Sequence, residues 1–462
     1  MSMWRFRAAV LAAKTVKKLL TLSGRKGTTL PGKVALSIYP ELLAVYGKML
    51  GEQIVFVTGT NGKTTTSNLL VHFLREDGRE VISNSLGANL IQGIATTLIE
   101  GVDTRRRGQQ AVVLEVDEAT IGKVIGHLRP KAVVVTNFFR DQMDRYGELD
   151  HVVDMVGNAL KKAPDSTTVI LNADDPLVTS IAPDGKNVVY FGIESSAFDS
   201  EEHSEVRDGK YCRKCGSELE YSLYHYGQLG FYQCPSCGFS RPEPSIAAEG
   251  VRLDAEGIRF GVGEVTGFIN SPALYNVYNA LAAVTASTVV GVDGDVLMRE
   301  MGYMKTQLGR MERLISGSGR ELMLTLVKNP TGFNEVLKVV EHEKKPVEML
   351  IILNDRYADG TDVSWIWDTN VERLQQFADL RKIYVAGTRA EDFAIRLKYA
   401  DLGEITEIVE GDTQSVDEAV KRLAGDSMLY ILSTYTSLYL VRDHLLAQGG
   451  QEVGRRQAVS AS

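Results

Sequence analysis

The segment that most constrains this chain is Gly59-Thr60-Asn61-Gly62-Lys63-Thr64-Thr65-Thr66. It joins an apolar run, QIVFVT (53–58), to a helix-forming run, SNLLVHFLRE, that closes at Gly78. A strand that passes through a glycine loop into a helix turns backbone N–H groups toward one point and makes a phosphate cradle. The glycines let the backbone approach phosphate oxygens, Lys63 brings a point charge, and Thr64 can place its hydroxyl on Mg²⁺. Val57 stands where a strict G-x-x-x-x-G-K-[ST] loop has its first glycine, so the strand–loop–helix context carries the reading.

The pattern then repeats. VISNS (81–85), AVVLEVD (111–117) and AVVVTN (132–137) read as strands, separated by the helical stretches ANLIQGIATTLIE and EATIGKVIGHL. Apolar strands alternating with helices imply a parallel sheet covered on both faces, with function gathered at the carboxyl ends of the strands. Those ends carry Glu115, Asp117, Glu118, Asn137, Arg140, Asp141 and Asp144. Carboxylates beside a phosphate loop suit Mg²⁺–nucleotide binding. Asp117 or Glu118 serves equally well as a helix cap.

A length of 462 residues fits about three units at roughly 150 residues each. Hydrophobic residues at 44% and charged residues at 24% allow a large core and exclude wholesale disorder. Lysine plus arginine (51) against aspartate plus glutamate (59) leaves −8, which speaks against a protein built to hold nucleic acid. No run approaches the ~20 apolar residues of a membrane span.

The opening segment, residues 1–34, is basic and amphipathic. Arg5 and Arg7 precede AAVLAA, but Lys14, Lys17 and Lys18 interrupt the stretch and no small-residue cleavage site follows, so it is not a secretion signal. At helical period Ala8, Leu11, Thr15 and Leu19 share one face, and Arg7, Lys14 and Lys18 another. Two readings stand: a helix packed on the first domain, or a basic amphipathic helix resting on an anionic membrane surface.

All four cysteines lie within residues 212–237, as Cys212-Arg-Lys-Cys215-Gly216 and Cys234-Pro-Ser-Cys237-Gly238. Two C-x-x-C-G knuckles at this spacing read as a closed, structural Cys₄ zinc ribbon, not as a disulfide scaffold. The ribbon (205–240) interrupts the first domain between FGIE (191–194) and returning strands near 250–262. An embedded ribbon points to a stabilising or interface insertion. With every cysteine committed to zinc, the chain has no thiol for glutamine hydrolysis.

From residue 316 to 448 a second αβ series follows, with strands LMLTLV (322–327), EMLIILN (348–354), KIYVAG (382–387), EITEIVE (404–410) and MLYILS (428–433). It is Rossmann-like in architecture but has no glycine dinucleotide fingerprint. The run NDRYADGTDVSWIWD (354–368) places four carboxylates and two tryptophans at a strand end. That marks a site or interface; the alternative is an Asp-capped helix with core tryptophans. Residues 449–462 read as a flexible tail.

Six ordered motifs carry a family resemblance: TGTNGKTTT (58–66), EVDE (115–118), TNFFRDQMDRYGELD (136–150), LNADDP (171–176), ALYNVYNALAA (273–283) and LGRMERL (308–314). Together they resemble the central ATPase domain of Mur ligases and folylpolyglutamate synthases, here residues 35–315. The resemblance implies ATP-driven ligation through an acyl phosphate. Thr60, Asn61, Gly62, Lys63, Thr64 and Thr65 would hold phosphates, with Thr64 and Glu115 serving Mg²⁺. Asn172, Asn276 and Asn279 would lie near the base or ribose, and Arg310 would reach the phosphates.

The chain departs from that pattern in places. Gln142 stands where these ligases have a metal-binding histidine, and no equivalent of their carbamylated lysine stands out beyond the nearby Lys161 and Lys162. The D-x-A-H-N-P pattern of their C-terminal domain reads Thr325-Leu326-Val327-Lys328-Asn329-Pro330. A phosphate loop at residue 59 leaves no room for a preceding uridine-nucleotide domain.

Adding KNPTG, the four cysteines and NDRYADGTDVSWIWD, nearly the whole chain resembles the MurT family, the Mur-ligase-like subunits of lipid II isoglutaminyl synthases. That resemblance implies amidation of the α-carboxyl of D-glutamate in the peptidoglycan stem peptide. Ammonia would come from a GatD-type glutaminase partner, at the cytoplasmic face of the membrane that holds lipid II. It places Lys63, Glu115, Lys328 and Asp355 among the catalytic residues, Asp355 completing the partner's Cys–His site, with Asp359 and Asp362 as competing choices. A second reading is a folylpolyglutamate-type amino-acid ligase, whose ADP release depends on an amino acid rather than ammonia. A third is a nucleotide-binding or zinc-ribbon module without turnover.

Overall fold

The computed structural model describes residues 3–24, 27–84, 88–103, 105–106, 108–141, 148–200, 207–254, 257–305 and 311–453. The apolar strands assemble into two large sheets. The first contains β1 (Ile54–Thr58), β2 (Val81–Ser83), β3 (Ala111–Glu115), β4 (Ala132–Val135), β5 (Thr168–Asn172) and β6 (Asn187–Ile193). After a separate hairpin of β7 (Glu220–Tyr226) and β8 (Leu229–Gln233), the chain returns as β9 (Ile246–Asp254), β10 (Gly257–Val262) and β11 (Val265–Ile269). The strand order is β11-β10-β9-β6-β5-β4-β1-β3-β2, parallel from β9 through β2 and antiparallel at β10 and β11.

Successive side chains explain why these strands read as unbroken apolar runs. Ile54, Phe56, Val112, Leu114 and Val133 face one layer of helices, while Val55, Val57, Val113 and Val134 face the other. A sheet buried on both faces needs apolar residues at every position. The helix Lys63–Glu76 starts directly from the phosphate loop and packs beside the helix Tyr275–Val289 on the second face.

The N-terminal helix, Met3–Leu22, packs on the first face through Phe6, Ala9 and Ala13. The Phe6 ring meets Tyr39 and Tyr46 edge-on. The face grouped as apolar from sequence, with Leu11 and Leu19, is instead exposed. Small alanines let the helix backbone lie close to the domain, and that close approach, not side-chain bulk, selects the buried face.

The second sheet holds β12 (Glu312–Ile315), β13 (Glu321–Leu326), β14 (Val347–Ile352), β15 (Leu380–Ala386), β16 (Thr406–Ile408), β17 (Met428–Ser433) and β18 (Gln451–Glu452). Its order is β16-β15-β14-β17-β13-β12-β18, parallel from β16 to β13, with β12 antiparallel on both sides. Part of the segment expected to be a flexible tail therefore forms an edge strand. Arg442 fixes it by pairing with both Glu312 and Glu452. Residues 454–462 lie outside the described residues.

The β7–β8 hairpin is stitched into the first domain. Its tip, Tyr226 to Leu229, is buried; Tyr226 stacks on Phe139 and Gln228 donates to the Phe138 carbonyl at 2.5 Å. The Tyr232 hydroxyl donates to the Ala173 carbonyl at 3.1 Å. At the same seam Asp175 accepts from the backbone N–H of Phe138 (2.8 Å) and of Leu177 (2.9 Å).

Complete burial pushes the Asp175 carboxyl up to about 7 despite those backbone donors. A carboxyl raised in the fold binds its proton more tightly there than in the unfolded chain, so its contribution to stability falls as pH rises from about 4 to about 7. Asp175→Asn is expected to flatten the decline of Tm with pH across that window, measured by thermal melts. An unchanged slope would show that Asp175 titrates normally.

Candidate active site

The phosphate loop cannot satisfy its own backbone and takes partners from the segment after β4. The Thr60 N–H donates to the Asn137 carbonyl (2.8 Å), and the Asn61 N–H to Asn137 Oδ1 (2.9 Å). The Asn61 carbonyl accepts from Thr136 Oγ1 (2.7 Å) and Asn137 Nδ2 (3.1 Å). Thr60 Oγ1 accepts from the Phe139 N–H at 3.0 Å. TGTNG and TNFF, distant in sequence, therefore interlock side by side.

Gly62 has φ +87°, and a Cβ built on it would lie 1.9 Å from Asn279 Oδ1. Both the left-handed backbone and the close approach require glycine. Asn279 is held by Asn276, whose Oδ1 accepts from Asn279 Nδ2 at 3.1 Å; Asn276 in turn donates to Ser271 Oγ at 2.7 Å. These two asparagines are buried and brace the loop from the helix Tyr275–Val289. Asn172 is also fully buried, donating to the Thr136 carbonyl and accepting from the Asp174 N–H. Thr65 is buried in the first turn of the following helix.

Lys63 Nζ curls back to the Gly59 carbonyl (2.5 Å) and forms an ion pair with Glu118 at 2.8 Å. Burial weakens the hold of Lys63 on its proton, but Glu118 and Glu115 more than compensate, and its pKa lies above the ordinary lysine value. Thr64 Oγ1 donates to Glu115 Oε2 at 2.7 Å, and Asn89 donates to Glu115 Oε1 at 3.0 Å. A threonine hydroxyl and a carboxylate side by side form a hard oxygen pair, which fits Mg²⁺. Asp117 proves to be a helix N-cap, accepting from the Ala119 N–H at 3.0 Å, whereas Glu118 points back to Lys63. Sequence placed Glu118 at the strand end without separating these roles, because cap and ligand residues share one composition.

The second domain completes the site. Lys328, just past β13, forms an ion pair with Asp141 and lies 3.5 Å from the Thr60 carbonyl. Its neighbour Asn329 caps the helix Pro330–Glu341 and donates to Asn61 Oδ1 at 3.2 Å. Arg140 joins Asp208 on the arm leading into the ribbon to Asp368 in the second domain. Asn329 lies within the KNPTG run that carries the family resemblance, but sequence assigned it no role; its helix-starting Asn-Pro was the remaining signal. Arg310, Gln142 and Asp144 lie outside the described residues.

Asp355 belongs to a different constellation. It follows β14, accepts from Thr388 Oγ1 at 2.8 Å and pairs with Arg389 at 3.0 Å, while its side chain remains 34% exposed. Asp359 is buried and receives the Thr436 N–H (2.7 Å) and hydroxyl (2.6 Å). Asp362 is exposed and accepts from the Ser364 N–H at the start of a short 3₁₀ turn. The two tryptophans divide: Trp365 packs against Phe333, while Trp367 is half-exposed beside the exposed Tyr399.

The four cysteine sulfurs all lie within 4.8 Å of one another, with Cys212–Cys237 at 3.6 Å and Cys215–Cys234 at 3.4 Å. A tetrahedron of sulfurs about ~2.3 Å from a zinc ion has edges of about 3.8 Å, so the cluster fits that ion. The knuckles are alike: Gly216 and Gly238 have positive φ, and their N–H groups return to the Cys212 and Cys234 carbonyls.

Comparison with known proteins agrees with this geometry. The Mur ligase middle domain profile matches residues 57–234, and the MurT ligase C-terminal profile matches residues 326–438. The lipid II isoglutaminyl synthase (glutamine-hydrolyzing) subunit MurT of Staphylococcus aureus (strain COL) is 34% identical over 445 residues, spanning 96% of this chain and 99% of that protein. The chain belongs to the MurT family. The MurT subunit of Streptococcus pneumoniae (strain ATCC BAA-255 / R6) is 35% identical, over 95% of this chain and 96% of its own length. Among solved structures, a pseudomurein peptide ligase type C from Methanothermus fervidus superposes with TM-score 0.66 at 20% identity, covering 88% of this chain and 81% of that one. MurF from Acinetobacter baumannii gives 0.63 at 16% identity, covering 90% and 79%. These place the MurT-family chain in the Mur-ligase fold.

Two outcomes are expected. Gly62→Ala forces a left-handed alanine onto Asn279, a strain of about 1–2 kcal/mol from backbone alone, and should lower Tm and reduce nucleotide binding by calorimetry. Metal analysis should find one zinc per chain, and replacing all four cysteines with serine should abolish it and lower Tm. A zinc-free protein of unchanged stability would overturn the ribbon assignment.

Proposed function

We propose that this chain is the synthetase subunit of a lipid II isoglutaminyl synthase, converting the α-carboxyl of D-glutamate in the stem peptide to an amide. The observation that carries the reading is the meeting of Lys63, Thr64, Glu115 and Lys328 around one glycine loop, in a chain matching MurT proteins along nearly its whole length. In this reading residues 35–315 form the ATPase domain, 205–240 its zinc-ribbon insertion, and 316–448 the second catalytic domain.

A carboxylate is a poor electrophile. Its oxygen attacks the γ-phosphorus of ATP and ADP departs; ammonia then attacks the acyl carbon and expels phosphate. The chain's part is positioning and charge neutralisation. Lys63 and the backbone N–H groups at the start of the helix Lys63–Glu76 hold phosphate oxygens, while the Thr60 and Asn61 N–H groups, engaged by Asn137, shape the loop; Lys328 brings a second cation from the other domain. Magnesium, held by Thr64 and Glu115, would neutralise phosphate charge. Asn276 and Asn279 act on the nucleotide through the loop they brace and Asn172 through Thr136, and the family resemblance gives Arg310 a role toward the phosphates.

Ammonia comes from a GatD-type glutaminase, because the cysteines of this chain are gathered in the ribbon. Asp355 is the favoured carboxylate for the partner's Cys–His pair: Asp359 is buried under Thr436, and Asp362, although exposed, is held by the backbone N–H of Ser364, whereas Asp355 stands partly open beside the exposed Tyr357 with only side-chain partners, Thr388 and Arg389. The acceptor lies in the cytoplasmic leaflet, and no helix among the described residues is long and apolar enough to cross a membrane.

With lipid II and ATP, the chain alone should form the amide from ammonium and should require the glutaminase to use glutamine, as read by product mass. Asp355→Asn should leave the ammonium reaction intact while lowering the glutamine reaction by about a hundredfold. Glutamine use by the chain alone, or loss of both reactions in the variant, would refute the assignment. ADP release dependent on an added amino acid would favour a folylpolyglutamate-type ligase.

A further inference from the structure

The N-terminal helix uses one face to bind the domain and leaves the opposite face bare. Trp4 is 70% exposed, Leu11 68% and Leu22 76%. Trp4 and Leu22 are separated by five full turns at 3.6 residues per turn, and Leu11 lies about 20° from the line joining them. Leu19 widens the stripe on one side and is 62% exposed. At about 1.5 Å per residue the stripe runs roughly 27 Å along the surface. A stripe of this length, apolar but for Thr15 and carrying a large aromatic, is not the scattered exposure normal for soluble surfaces.

The charges beside the stripe are one-sided. The helix holds Arg5, Arg7, Lys14, Lys17 and Lys18 and no acidic residue, within a chain of net charge −8. Arg7, Lys14 and Lys18 lie about 40–80° from the Trp4–Leu22 line, on the flank opposite Leu19. Arg7, Lys14 and Lys18 are exposed. Apolar side chains along the outer face with cations on the flank are what an anionic bilayer interface recognises: acyl-chain boundary for tryptophan and leucine, headgroup phosphates for lysine and arginine. The helix is already folded and docked through Phe6, Ala9 and Ala13, so membrane contact adds no helix-ordering entropy.

We propose that the Met3–Leu22 helix is a monotopic membrane-docking element that lays the Trp4–Leu11–Leu22 stripe onto an anionic membrane surface. This deepens the function proposed above, since a lipid-linked acceptor is confined to that surface. Docking converts a three-dimensional search into a two-dimensional one and raises the local concentration of acceptor.

The test uses the full chain, alone and with its glutaminase, in co-sedimentation with vesicles of phosphatidylglycerol and phosphatidylcholine or of phosphatidylcholine alone. Neither contains lipid II, so failure of docking and failure of amidation are read separately. Binding should require phosphatidylglycerol and fall with added salt. Leu11→Glu/Leu22→Glu should weaken it by at least about tenfold, as should Lys14→Glu/Lys18→Glu. All four positions are exposed, so the variants should retain the wild-type Tm and the ammonium-driven rate on detergent-solubilised lipid II. Binding that ignores these substitutions, or no vesicle binding at low salt, would overturn the proposal. Loss of vesicle binding when the glutaminase is added would identify the stripe as a protein interface and overturn it equally.

Discussion

The structure turns on the inability of residues 59–62 to satisfy their own backbone. A loop that must present N–H groups to a ligand cannot spend its carbonyls and side chains freely, and here three other segments hold it. Thr136 to Phe139 line one side, Asn279 fills the space that a Cβ on Gly62 would occupy, and Asn329 reaches Asn61 from the second domain. Every one of these partners comes from the carboxyl end of a strand or the amino end of a helix. The doubly covered sheet is the scaffold that brings such ends together.

Charge follows the same geometry. Glu118 pairs with Lys63, and Asp141 pairs with Lys328. Each cation thereby has a carboxylate partner; an unpaired charge would be costly at the largely buried Lys63.

Much of this was legible in the sequence, and the reasons for the remainder are specific. The strand–loop–helix unit, the parallel alternation and the two cysteine knuckles are local patterns, and the strands of both sheets lie close to where apolar runs placed them. Contacts that depend on tertiary approach were not legible. Nothing in EVDE separates the capping Asp117 from the ion-pairing Glu118, and nothing in KNP announces that Asn329 touches Asn61. The buried face of the N-terminal helix was missed because alanine contributes little to a hydrophobic pattern, yet permits the closest packing. Among Asp355, Asp359 and Asp362, only exposure and backbone partners distinguish one from another, and neither is written in the spacing.

The zinc-ribbon hairpin illustrates how sequence contiguity and physical separability part company. Residues between β6 and β9 look like a cassette that could be lifted out, since β6 and β9 lie side by side in the sheet. The hairpin tip, however, lies beneath Phe138 and Phe139, and Arg241 just beyond the second knuckle pairs with Asp174. Excision would therefore remove a wall behind the glycine loop together with the cysteine cluster. A shortened version of this protein would have to rebuild that wall before it could dispense with the cysteine cluster.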